Sequence, residues 1–270
     1  MSHQSKKYFF DTTVLEAHLL WGDYTEQDIK NHIASPSLKK YLNPFDGIMS
    51  FSGEIDFYEK IYAKMNMPFF GLDMILFTPE FINDPSEPVY LTWCGMGWDK
   101  FRSSETFKHF IKELSNNVPM KIYGPKNYLS FLAAESYGGF SPPGIPHIEA
   151  IRKNGMYLLT HASMHIEAGM PSLRLFEALA ANVVIISDMH PFVIENFGDN
   201  ILYYDQYADS ETMFKQVKSH YDWIKANSEE AKAMAGRAHK IFLDKFTIEK
   251  DLPRLARMHE YVVKHASKRN

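Results

Sequence analysis

The stretch that decides the fold runs from His161 to Asp205, HASMHIEAGMPSLRLFEALAANVVIISDMHPFVIENFGDNILYYD. It reads as a strand end, a loop, a helix over 172–181, a strand over 183–187, a short helix over 191–196 and a strand over 201–204. Pro171 suits a helix entry, and Ser172 suits the cap or the first turn. Leu173, Phe176, Leu179 and Ala180 make an apolar stripe expected to face a sheet. That leaves Ser172, Arg174 and Glu177 as polar groups near the strand ends. A helix start offers free N–H groups to a phosphate, a guanidinium suits a diphosphate, and a carboxylate about one and a half turns in can accept from two ribose hydroxyls. The same nine residues also fit a capped amphipathic helix whose Arg174 and Glu177 form an ordinary i,i+3 pair.

Working back from this stretch, strands alternate with helices. The pattern predicts strands over 89–94 (VYLTWC), 119–124 (PMKIYG) and 156–161 (MYLLTH), with helices over 104–114, 127–136 and 147–153. Residues 137–146, YGGFSPPGIP, read as turns. Forward of it, three helices are expected over 209–226, 229–244 and 248–265. This order implies an α/β fold, a Rossmann-like parallel sheet with helices on both faces, whose ligands bind beyond the carboxyl ends of the strands. Residues 1–86 are less regular, with strands expected at 46–52 and 67–72, a helix at 55–65 and a proline-bearing linker at 78–88. They form a short, incomplete N-terminal α/β region.

The bulk numbers exclude several classes. With 270 residues and 45% hydrophobic content the chain can bury a real core. A net charge of −4 argues against a general nucleic-acid partner, which needs a basic face. The aromatic richness reads as core. One cysteine, Cys94, permits no internal disulfide and fits a cytoplasmic location. The N-terminal MSHQSKKYFFDTTVL lacks the apolar segment of a signal peptide, and no stretch is apolar enough to span a membrane.

Read as a string, Pro171, Ser172, Arg174, Phe176, Glu177, Ala178, Leu179, Ala180, Ser187, Asp188, Pro191, Glu195, Phe197, Gly198 and Asp199 resemble the C-terminal, donor-binding domains of GT-B glycosyltransferases of the "glycosyl transferases group 1" type. The match is ordered over about 45 residues and weaker over 89–265. It implies a reduced acceptor-side region at 1–86, a nucleotide-sugar-binding domain at 87–246, and a C-terminal helix at 247–270 that crosses back to the first region. It further implies transfer of a sugar from a UDP- or GDP-sugar to a hydroxyl acceptor (glycan, lipid-linked or protein), with neither metal nor cofactor. Another subunit would supply a missing acceptor half.

The resemblance assigns roles residue by residue. Glu177 would hold the donor ribose, and Ser172 with the Leu173 backbone and Arg174 the diphosphate. The loop after the strand at 89–94, Gly95-Met-Gly-Trp-Asp-Lys-Phe-Arg102, would cross the diphosphate with Lys100 or Arg102 as counter-charge. A plain strand-to-helix turn with solvated charges is the other reading of that loop. Gly144, Ile145 and Pro146 would line the nucleobase pocket with Tyr123 or Pro125 nearby, or form a surface turn. His165 would face the sugar or leaving phosphate, and Glu54 would face the cleft from the N-terminal side, holding an acceptor hydroxyl or acting as a base. Each also reads as a structural or solvated residue. His161 and His165 have the spacing of a metal pair but lie at a strand-to-loop junction with no third ligand in register.

Two positions depart from the pattern. Retaining members carry a glutamate eight residues before the ribose glutamate, and Gly169 stands there. Asn182 replaces the usual glycine after the alanine-rich stretch, a change asparagine tolerates through left-handed geometry. The lost acid and the short N-terminal region favour a second reading, a non-catalytic sugar-nucleotide-binding or scaffolding module.

Overall fold

The computed structural model describes residues 8–11, 36, 40, 43–50, 68–71, 84–95, 99–132, 134–139, 144–167 and 169–265. The chain packs as two units, one of residues 1–74, 167–170 and 248–270, the other of residues 75–166 and 171–247. In the first, β1 (Tyr8–Asp11), β2 (Gly47–Ser50) and β3 (Phe69–Gly71) form a parallel sheet in the order β1-β2-β3.

The second unit is a six-stranded parallel sheet. Its strands are β4 (Tyr90–Cys94), β5 (Met120–Tyr123), β6 (Tyr137–Gly139), β7 (Gly155–Leu159), β8 (Val184–Asp188) and β9 (Leu202–Tyr204), in the order β6-β5-β4-β7-β8-β9. The helices are α1 (Glu105–Asn117), α2 (Ile145–Asn154), α3 (Ser163–Glu167), α4 (Leu173–Ala180), α5 (Pro191–Phe197), α6 (Ser210–Ala226) and α7 (Ser228–Lys245). A last helix, α8 (Ile248–His265), packs with the first unit. The order reverses between β4 and β7, so the crevice at their carboxyl ends is the natural ligand position.

Both faces of the sheet are covered, which is why its central strands are mostly apolar. Leu91, Trp93, Met156, Leu158, Val184 and Ile186 pack with Phe107, Phe110, Ile111 and Leu114 of α1 and with Met213, Val217 and Ile224 of α6. On the other side α4 lies between α2 and α7, and Phe176 meets Phe192, Phe242 and Phe246 in one aromatic cluster. Side chains fix the helix starts. Ser104 Oγ accepts from Phe107 N–H, and Asp209 from Thr212 N–H. Asn182 adopts φ 53°, the left-handed geometry expected of it.

The α/β order expected from the sequence holds, and four details differ. The expected helix over 127–136 is replaced by two 3-10 turns, Lys126–Tyr128 and Ala134–Ser136. Here Leu129, Phe131 and Leu132 enter the core singly and not as a helical stripe. The glycine-rich run after it contains the edge strand β6. The loop after β7 contains one turn of helix, α3. The first residue of the apolar stripe, Leu173, is exposed, because α4 begins only there. The expected helix over 55–65 lies outside the described residues.

Candidate functional site

The carboxyl edge of the second unit's sheet carries the residues singled out above. Ser172 caps α4, its Oγ accepting from the Arg174 N–H at 3.2 Å. One turn on, Arg174 Nη1 donates to Glu177 Oε2 at 2.6 Å, and His147 Nε2 of α2 lies 3.5 Å from the same oxygen. The i,i+3 pair is therefore present. Glu177 does not stand on an open rim as the helical pattern suggests; it is 4% exposed. The reason is that α4 is covered by α2 and α7 as well as by the sheet, so its polar residues also face protein. Burial pushes the Glu177 carboxyl up, and the charge and hydrogen bond of Arg174 pull it back.

Beneath this pair lie groups that sequence reasoning passed over. Burial raises the Cys94 thiol, with Arg174, Glu177 and Arg102 as its charged neighbours. The Tyr157 hydroxyl, fully buried in β7, has no hydrogen-bond partner among the described residues and feels the same three groups and Cys94. Their signal was faint, since an aromatic in a strand reads as core. His147 follows directly on the Gly144-Ile145-Pro146 turn and carried no mark of its own.

The loop after β4 is built for close approach. A Cβ on Gly124 would lie 2.2 Å from the Gly95 carbonyl oxygen, so the β4 and β5 exits touch backbone to backbone. Asp99 accepts from the backbone N–H groups of Phe101 and Arg102 at 3.1 and 3.0 Å and pairs with the Arg102 guanidinium. Lys100 is exposed on the turn. Of the two candidate counter-charges, Arg102 is the one held in place, and it borders a cavity of about 260 Å³ lined also by Lys108, Asn127 and Tyr128. The Tyr123 hydroxyl accepts from Asn154 Nδ2 at 3.4 Å. Gly144 caps α2 and Ile145 is exposed at its start.

A histidine cluster stands at the exits of β7 and β8. His161 Nδ1 lies 2.6 Å from Asp188 Oδ1, and the His161 N–H donates to Asp188 Oδ2 at 2.5 Å. The His190 ring packs on that of His161 with centroids 4.2 Å apart. His190 Nδ1 accepts from the Phe192 N–H, so its Nε2–H donates to the His165 carbonyl at 3.2 Å. His165 is pushed down to about 4 by burial, then by His161 and Arg102. It therefore stands neutral at pH 7. Gly169 groups with the first unit, and Glu54 lies outside the described residues. Among the described residues no three or more His, Cys, Asp or Glu side chains are placed to hold a metal. No described helix is long and apolar enough to cross a membrane.

The two depressed histidines give a stability prediction. His147 is also pushed down to about 4, by burial and then by Arg174. Both values lie below the ordinary 6.5, so their contribution is complete above pH 6.5 and is lost as the pH falls toward 4. The raised Glu177 acts oppositely, its contribution being present in acid and lost as pH rises. Melting curves should show stability falling below pH 6.5, at no more than about 1.4 kcal/mol per pH unit for each histidine. His165→Gln should flatten the fall. A stability that held level down to pH 4 would contradict these assignments.

A family model described as "Glycosyl transferase-like" matches residues 102–257, more than half of the chain. The chain belongs to this family. Solved glycosyltransferases share the GT-B fold of this glycosyl transferase-like chain at low identity. HepE of Anabaena, in complex with UDP and glucose, superposes with a TM-score of 0.58 at 9% identity, covering 94% of this chain and 71% of that one. Sucrose-phosphate synthase of Thermosynechococcus elongatus gives 0.57 at 9%, covering 94% and 68%. The pneumococcal O-GlcNAc transferase GtfA, in complex with UDP and GlcNAc, gives 0.53 at 14%, covering 90% of this chain but only 48% of its own. The sequence matches no curated protein.

Proposed function

We propose that the chain binds a nucleoside diphosphate sugar at the carboxyl edge of its six-stranded sheet and transfers the sugar to a hydroxyl acceptor. The observation that carries this reading is the ion pair of Arg174 with the buried Glu177 in the first turns of a serine-capped helix. A carboxylate with an arginine beside it matches a ribose diol next to a diphosphate. The N–H groups at the α4 start, with Arg174 and Arg102, would neutralise the leaving diphosphate without a metal or other cofactor. The acceptor oxygen bonds to the anomeric carbon while the carbon–oxygen bond to the β-phosphate breaks; that bond's electron pair stays on the phosphate, and the acceptor's hydroxyl proton passes to the departing diphosphate. His165, neutral, would act near the sugar as a hydrogen-bonding group and not as a fixed positive charge.

UDP is the first donor nucleotide to try, because HepE and GtfA were each solved with it, and GDP the second. A glycan, lipid-linked or protein acceptor fits the reading equally. GtfA forms a GtfA/B complex, which supports a second subunit as the source of an acceptor half. A cytoplasmic setting rests on the single cysteine. The module reading is favoured by Gly169, which stands where retaining members carry their first glutamate. Incubation with UDP- and GDP-sugars and a panel of hydroxyl acceptors separates the two. Release of the nucleotide with a glycosylated product is the expected result. Binding of the sugar nucleotide with no release would leave the non-catalytic module standing.

A further inference from the structure

The proposed donor site uses Glu177, Arg174, Arg102, His165 and the start of α4, and leaves His161, at the exit of β7, without a task. His161 and Asp188 sit at the carboxyl ends of neighbouring strands, both side chains fully buried. Asp188 takes up the His161 Nδ1–H and the backbone N–H of the same residue. Its own strand adds the Ser187 hydroxyl at 3.3 Å. This carboxylate fixes the ring's orientation and stabilises it when protonated. The other nitrogen, Nε2, has no hydrogen-bond partner among the described residues. Buried polar atoms nearly always have a partner, so an unpartnered one on a rigidly held ring marks a contact that the described residues do not make.

Its surroundings say what that contact is. β4 and β7 are paired neighbours, so the loop that carries Arg102 and the strand end that carries His161 leave the sheet side by side. Both belong to the crevice where the sheet order reverses. We infer that His161 Nε2 donates a hydrogen bond to the terminal, β-phosphate oxygen of the donor, with Asp188 balancing the charge of the imidazolium. The inference rests on the donor-site reading above. No proton need leave the ring: the electron pair of the breaking bond stays on the phosphate, and the imidazolium N–H meets it there. Nε2 is sealed from solvent, so the contact forms with a small displacement of neighbouring side chains, the His190 ring that packs on His161 among them.

Asparagine at this position separates the two edges of the ring. Its amide nitrogen takes the place of Nδ1 and keeps the Asp188 bond, while nothing takes the place of Nε2. The probe is whichever of UDP, GDP, ADP and CDP the wild-type chain binds best, together with its monophosphate. His161→Asn should weaken the diphosphate at least roughly tenfold, the scale of one charge-assisted hydrogen bond, and leave the monophosphate unchanged. Asp188→Asn, which keeps the shape and removes the balancing charge, should act in the same direction. Unchanged diphosphate affinity in His161→Asn overturns the contact. An equal loss for both nucleotides also overturns it, since that is the mark of a structural role. Failure of the wild type to bind any of the four would instead overturn the donor-site reading, and the contact with it.

Discussion

Glu177→Ala is expected to lower the affinity for the donor nucleotide by at least about a hundredfold, as two hydrogen bonds to a charged acceptor contribute about 1.5–3 kcal/mol each. The fold should survive. The partner left behind, Arg174, has a side chain 38% exposed and can turn to water, and His147 is already neutral. Glu177→Gln keeps the volume and one acceptor, and should fall between the two. Titration calorimetry alongside a melting curve reads both quantities. Unchanged affinity with a normal melt would remove Glu177 from the ribose and leave it a structural partner of Arg174.

The largest effect on stability is expected at Gly155, the first residue of β7. Its φ is +82°, and an added Cβ would lie 1.8 Å from the Glu87 carbonyl oxygen and 2.9 Å from the Pro88 Cα. Both are backbone, so no side chain can turn aside. Left-handed geometry costs an ordinary residue about 1–2 kcal/mol, and overpacking costs about 1–3 kcal/mol more. Gly155→Ala should therefore destabilise the second unit by about 2–5 kcal/mol. Moving Glu87 and Pro88 would also disturb the Val89 N–H bond to the Asn154 carbonyl, which ties the entry of β4 to the end of α2. A melting temperature within a degree or two of wild type would show that this segment yields more easily than its contacts imply.

The sequence was most legible where period and punctuation agree. Strands β4, β5, β7, β8 and β9 each lie within an apolar run bounded by turn residues, and Ser104, Ser172 and Asp209 fall at helix starts. It was least legible at short elements. In β6 the strand is Tyr-Gly-Gly, whose glycines read as a turn, and only its pairing with Ile122 and Tyr123 of β5 makes it extended. In α4, eight residues long, helical spacing cannot say which polar residue faces inward when three elements cover it. So Leu173 emerged exposed and Glu177 buried.

The site divides in the same way. Ser172, Arg174 and Glu177 were legible because they follow one another along one helix. His147 meets Glu177 from thirty residues upstream, and Asp188 meets His161 across two strands. Such pairs depend on sheet order, which no local pattern encodes. The histidine spacing, with no third ligand in register, gave no sign that the partner of His161 is the aspartate at the end of the next strand.

The central claim is that the carboxyl edge of the six-stranded sheet is a donor-nucleotide site. Calorimetric titration of the full chain with UDP, GDP, ADP and CDP, without added metal, tests it directly. The account predicts saturable binding of one of them, with UDP the first candidate, and loss of that binding in Glu177→Ala. A folded chain that binds none of the four, or binds one equally well without Glu177, would contradict it.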